Sequence, residues 1–226
     1  RQFHANRVDW VYVIDSDSAN ENLINAAKAA GIPVGGSIGS GQADPGSSPR
    51  TYLIGRVEDI NGVSGTLGDL GSAGITGCVN KADWRGLWWA VVRPQLDVGC
   101  HKIQHDDPTY SAVTDCFCDS CMALFRKYVE TYATPAQLTS WGISDIATFN
   151  YRDYARTHSP IPADLLAMKG AFAAESVARF HAEMQARIDL YTGREVPYSG
   201  NNSSLQRWPP EYPQHATLDY GMSEMM

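Results

Sequence analysis

No run of apolar residues in the chain approaches the roughly 18 that a membrane span requires. No basic face is visible either: 18 Lys and Arg stand against 25 Asp and Glu, a formal net charge of −7. Phosphate neutralisation needs such a face, so the composition argues against a nucleic-acid partner. The chain shows no signal-peptide pattern and begins with Arg rather than Met, and it reads as a mature, trimmed or cropped product. Internal repeats, low-complexity tracts and a domain linker are also missing. The cysteine count, five, is odd, so a pure disulfide framework would leave one thiol over.

What remains is ordinary globular composition. The 226 residues are 43% hydrophobic and 19% charged, enough chain for a full core. We read residues 1–226 as one domain. The sequons Asn201-Asn202-Ser203 and Asn202-Ser203-Ser204 permit glycosylation in a secretory host, although such triplets arise often by chance. An extracellular or periplasmic setting is the expectation.

Val8 to Asp17, VDWVYVIDSD, is β-branched and aromatic and ends in acid and serine, which predicts a buried strand running into a polar loop. Residues 20–30 predict a helix with Leu23, Ile24, Ala27 and Ala30 on one face, ended by Gly31. Ile32-Pro33-Val34 then opens a second strand. Strand, helix and strand over about thirty residues form a βαβ unit, whose strands are parallel. Residues 39–84 are a long excursion, poor in periodicity over 39–77. Further helices are expected over 85–97, 118–132 and 163–192, the last closed by Gly193. Further strands are expected near 101–106, 196–200 and 217–222.

Strands alternating with helices predict a parallel α/β fold. Short strands, the absence of a glycine-rich loop after the first one, and polar residues just past the strand ends favour a (β/α)8 TIM barrel over a doubly wound sheet. The polar residues are Asp15 and Asp17, His105 to Asp107, Asn201 and Asn202, and Ser223 and Glu224. About five strands are evident, so the barrel looks incomplete in this chain.

Cys116, Cys118 and Cys121 lie within six residues in the cysteine-rich βα loop 108–121. By spacing alone they suit two arrangements. One is a tetrahedral zinc site whose fourth ligand is Cys78 or Cys100, with His101 and His105 as outsiders. The other is one or two disulfides plus a free thiol.

The run CFCDSCMALFRKYVETYATPAQLTSWG resembles the segment that follows the acid/base strand in family 42 glycoside hydrolases, the β-galactosidase group. In that family a Cys-x-Cys-x-x-Cys run, a phenylalanine-arginine helix and a Leu-x-x-x-Trp-Gly stretch recur, and an upstream cysteine completes a zinc site. The resemblance covers roughly residues 78–155, with a looser match through VPYSGNN and LDYGMSE to the end. It implies a structural zinc on Cys78, Cys116, Cys118 and Cys121, no organic cofactor, and a chain holding about strands two to six of the barrel. A structural zinc closed by four cysteines has no open position for substrate.

Asp106 and Asp107 end the strand KIQHDD, and Pro108 stops its ladder. Neighbouring strand residues face opposite ways, so one aspartate can face the barrel axis while the other caps a loop. The alternative is that both only cap or hold loop amides. Family 42 has Asn-Glu here, with glutamate as the acid/base. Counting back from the cysteines sets Asp107 at that glutamate; aligning the strand's Gln sets Asp106 opposite an earlier aspartate and Pro108 at the glutamate. KIQHDD also resembles the Lys-Tyr-Asp strand end of family 27 and 36 α-galactosidases, which would make Asp106 a nucleophile.

The resemblance therefore implies a glycosidase cleaving an oligo- or polysaccharide with two carboxylates at the rim. Asp106 or Asp107 is one candidate and Glu224 the other. Asp15, His105, Asn201, Trp89 and Tyr220 are candidate substrate contacts, although a Trp88-Trp89 pair more commonly belongs to a helix core. The expected partner is carbohydrate, without nucleic acid or membrane, and a homo-oligomer is compatible. Two rivals stand beside this reading: a non-catalytic carbohydrate-binding barrel, and a metal-dependent hydrolase using His101, His105 and the aspartates.

Overall fold

A computed structural model describes residues 8–11, 18–38, 55–64, 77–105, 115–201 and 220–222, with side chains left out for 8–11, 18–21, 201 and 220–222. Among the described residues five strands form one sheet: β1 (Val8–Val11), β2 (Val34–Ile38), β3 (Lys102–His105), β4 (Tyr198–Asn201) and β5 (Tyr220–Met222). Their order across the sheet is their order in sequence, and each adjacent pair is parallel. Sequential parallel order is the order of a βα-barrel wall; a doubly wound sheet reverses direction at a switch point. β2 and β3 are buried along their whole length, as expected of parallel strands covered on both faces.

The helices are α1 (Ser18–Ala29), α2 (Ala82–Asp97), α3 (Asp119–Tyr132), α4 (Pro135–Ser140), α5 (Tyr151–Thr157) and α6 (Ala163–Thr192). In α1 the buried residues with described side chains are Ile24 and Ala27, whereas Leu23 is 49% exposed and Ala30 is also exposed. The apolar stripe is narrower than the sequence pattern suggested. α2 begins at Ala82, inside the segment expected to be excursion. Gly193, at φ 66°, ends α6 in the left-handed conformation that glycine adopts without a Cβ clash. None of the described helices is long and apolar enough to cross a membrane.

α4 and α5 had no counterpart in the sequence reading. Thr134 and Gln137 form a reciprocal capping box at the start of α4, with Pro135 in the first turn. Arg126 of α3 donates to the Ala147 carbonyl in the link between these short helices, tying it to α3 at 2.8 Å.

The core lies between the sheet and helices α2 and α6. Trp88 of α2 is 1% exposed, and its ring meets those of Phe180, Tyr198 and His105 edge-on. Gly36 of β2 lets Gln95 of α2 pack against the strand: a Cβ there would fall 2.1 Å from Gln95 Oε1 and 3.1 Å from Ile103 Cδ1. Truncating Trp88 removes one of the largest fully buried side chains. Trp88→Ala is expected to cost about 3–5 kcal/mol, read as a lower urea midpoint with an unchanged slope; a loss below about 1 kcal/mol would contradict this packing.

Candidate metal centre and strand rim

Four cysteines converge: Cys78 in the turn before α2, Cys116 and Cys118 in the segment leading to α3, and Cys121 in the first turn of α3. All four are fully buried and reduced, and their sulfurs lie within 4.8 Å of one another. Cys78 Sγ is 3.8 Å from Cys118 Sγ and 3.4 Å from Cys121 Sγ. A disulfide needs about 2.05 Å. A tetrahedral zinc with bonds of about 2.3 Å spaces its sulfurs roughly 3.8 Å apart. The residues therefore fit a closed tetrathiolate site and can hold a metal such as zinc.

The surrounding chain fixes these positions. Cys118 is the N-cap of α3, and its sulfur accepts from the Cys121 amide at 3.5 Å. The helix N-terminus favours negative charge there. Asn80 Nδ2 donates to Cys121 Sγ at 3.4 Å. The Cys78 amide donates to Gly55 O and the Phe117 amide to Glu58 O, each at 2.8 Å, so residues 55–64 brace both sides of the centre. The four thiols share their protons unequally. Hydrogen bonds from Cys118, then Cys121 and Cys78, hold the Cys116 thiol far below its ordinary range. Hydrogen bonding to Cys116, before all else, pushes Cys78 and Cys121 well above it.

Cys100 stands apart as a buried free thiol, raised to about 11 by burial. Spacing had left Cys78 and Cys100 as alternatives; the geometry selects Cys78.

The strand ends show a clear division of faces. Register aligns Ile103 with Gly36 and Tyr198, and Gln104 with Ser37 and Ser199. Ile103, His105 and Tyr198 face the helix layer, where His105 meets Trp88, Phe180 and His181. The opposite face of these strands carries Ser37, Lys102, Gln104 and Ser199, each at most 5% exposed. Ser37 Oγ, Ser199 Oγ and both amide atoms of Gln104 have no hydrogen-bond partner among the described residues. A buried row of uncharged donors and acceptors left open in this way is costly unless something polar meets it.

His105 is 2% exposed and its Nδ1 lies 3.2 Å from the Tyr198 hydroxyl, which also meets His181 Nδ1 at 2.7 Å. Desolvation pushes the His105 pKa down to about 3, while burial raises that of Tyr198 well above its usual value. His105 thus stays neutral in the fold while the unfolded chain binds a proton below about pH 6.5. The stability it supports is present above about 6.5 and is lost as pH falls toward 3. Between pH 6.5 and 4.5 the loss is expected to be about 2 kcal/mol, measured as urea midpoints. In His105→Leu the slope over that window is expected to fall by about one proton; an unchanged slope would contradict the assignment.

The other predicted contacts are distributed as follows. Trp89 sits in the α2–α6 seam, its ring edge-on to Tyr191 and beneath the Arg187 guanidinium at 4.2 Å. Asn201 ends β4, where it pairs with Met222, and Tyr220 pairs with Ser199. His101 Nδ1 lies 2.6 Å from Val34 O. Asp15, Asp106, Asp107 and Glu224 lie outside the described residues. Sequence reasoning missed His181, Lys169 and the Gln104 row. Lys169 and His181 interrupt the apolar stripe of α6 and were legible as polar residues on a buried face; the row required the strand register.

No family model and no curated protein matches the sequence. Two solved structures align with nearly all of it. A β-galactosidase from the psychrophilic Marinomonas ef1 is 12% identical with a TM-score of 0.63, over 96% of this chain and 36% of that one. The agarase AgWH50C is 13% identical with a TM-score of 0.54, over 96% of this chain and 30% of that one. The chain therefore spans about a third of the length of each. At such identity the likeness is one of fold, and together with the sequential parallel sheet it gives the chain a TIM-barrel-like α/β architecture, consistent with part of a barrel.

Proposed function

We propose that the chain is part of a glycoside hydrolase that cleaves O-glycosidic bonds in an oligo- or polysaccharide at the C-terminal rim of a (β/α)8 barrel. The observation that carries this is the polar face of β2, β3 and β4. Ser37, Gln104 and Ser199 line up across three strands, with Ser37 Oγ, Ser199 Oγ and the Gln104 amide unpartnered among the described residues, on the side away from the helices. Neutral donors and acceptors of this kind suit a hydroxylated ligand and its ordered water. A β-galactosidase and an agarase among the structural neighbours agree with a sugar substrate.

In this reading Asp106 or Asp107 supplies one carboxylate and Glu224 the other. The parity of β3 favours Asp106, because its predecessors Lys102 and Gln104 turn away from the helix layer. Asp15, Asn201 and Tyr220 are the proposed sugar contacts. One carboxyl protonates the leaving oxygen while the second attacks the anomeric carbon or activates water. The cysteine centre takes no part: four thiolates close it, and its role is to hold residues 77–81 to the start of α3. His101 and His105 are engaged with Val34 O and Tyr198, which favours the carboxylate reading over a histidine-ligated hydrolytic metal.

The test is turnover of a panel of aryl glycosides and of agar- and galactan-derived oligosaccharides, followed by reducing-end release. Turnover that survives removal of catalytic divalent ions supports the proposal. Sugar binding without turnover across the panel would move the assignment to a carbohydrate-binding barrel.

A further inference from the structure

A zinc held by four thiolates carries a net charge of −2, and burying that charge is costly unless cations stand close. Two lysines are near. Lys81 Nζ is bound to Glu58 Oε1 at 2.5 Å, so its charge is largely matched already. Lys169, on α6, is 2% exposed and donates to the backbone oxygen of Cys116 at 3.4 Å. Its ammonium also lies over the rings of Phe125 and Phe172, at 5.6 and 5.1 Å from their centroids. Asp115 is within its Coulombic reach but is exposed to solvent. A buried ammonium held against the Cys116 backbone offsets part of the charge of a dianionic centre beside it.

We infer that Lys169 is the charge-compensating residue of the cysteine metal centre, setting its affinity for divalent metal and favouring the more negative state of whatever metal it holds. This rests on the reading that Cys78, Cys116, Cys118 and Cys121 bind a metal. The lysine acts on the centre from outside the ligand set: its charge stabilises the thiolates and its hydrogen bond holds the Cys116 carbonyl. Loss of an outer partner of this type lowers metal affinity by about 10–100-fold in other sites.

Zinc affinity by chelator competition and the reduction potential of the iron-loaded centre test this together. Lys169→Met is expected to bind zinc about 10–100-fold more weakly, and Lys169→Arg to recover most of the loss. With iron in place of zinc, the ferric centre carries −1 and the ferrous centre −2. Losing the cation must therefore lower the potential, by about 59 mV for each tenfold change in the one-electron equilibrium. A purely packing role would not move that potential. If Lys169→Met does not fold, Lys169→Gln, which keeps a donor but no charge, gives the same two readings. A wild-type protein that takes up no metal overturns the centre and this role with it. Tight zinc binding in the wild type with unchanged affinity and potential in the uncharged variants overturns the role of Lys169 alone.

Discussion

If the cysteine centre holds zinc, removing it is expected to unfold much of the protein. Apparent binding free energies of about 10–16 kcal/mol are typical of structural zinc on thiolates near neutral pH. A domain's whole stability is about 5–15 kcal/mol. Here the centre joins the turn before α2 to the start of α3, and residues 55–64 are pinned to both through Gly55 O and Glu58 O. Treating the protein with a strong chelator is expected to lower its thermal midpoint by more than 10 °C, on the order of several kcal/mol, with one zinc per chain released. Cys116→Ser should do the same without chelator. Rebinding should release up to about four protons per zinc near neutral pH, because four thiols with ordinary pKa values of about 8.5 must be deprotonated, and so should strengthen as pH rises. Calorimetry in buffers of different ionisation enthalpy measures that number. A chelated, metal-free protein with an unchanged midpoint would contradict the structural role.

In the proposed glycosidase reading, replacing Asp106 should have the other large effect. General acid–base assistance contributes about 10²–10⁴-fold, so Asp106→Asn is expected to lower kcat by at least a hundredfold while leaving the melting midpoint within about 1 °C. Asp107→Asn should change kcat by less than about tenfold if its carboxyl serves only the loop amides. Glu224→Gln should match Asp106→Asn, and the product anomer seen by NMR gives the separation of the pair. Retention corresponds to carboxyls about 5 Å apart and inversion to about 6.5–9.5 Å. A bell-shaped rate profile that loses one limb in Asp106→Asn would identify its pKa. Full activity of Asp106→Asn and Asp107→Asn in folded protein would remove this strand end from the chemistry.

Much of the architecture can be read from local pattern. Leu165, Met168, Phe172, Val177, Phe180, Met184, Ile188 and Tyr191 recur at helical spacing; six are buried along α6, Met168 is partly buried and Tyr191 is exposed. Gly193 marks the end of that helix because only the left-handed conformation turns the chain there. The short α4 carried its own signal in Thr134-Pro135-Ala136-Gln137, a capping box that long-range periodicity overlooks. Leu23 was misplaced because an amphipathic window shows an apolar stripe without showing how much of it the sheet covers.

The sequence alone determined the alternation of strands and helices, the parallel class that follows from it, and the short-range clustering of Cys116, Cys118 and Cys121. Those are consequences of periodicity and of neighbours along the chain. Tertiary structure decided the rest. Cys78 rather than Cys100 meets the cluster, across 40 residues of sequence to Cys118. His105 turns to the helix layer because its parity on β3 matches Ile103 and Tyr198, while Gln104 takes the opposite face. Lys169 is buried where α6 passes the Cys116 backbone, beside the sulfurs carried by the turn before α2 and the start of α3. Each of these depends on which segments fold against one another, and pairings between distant residues are set by packing and register that no local window contains.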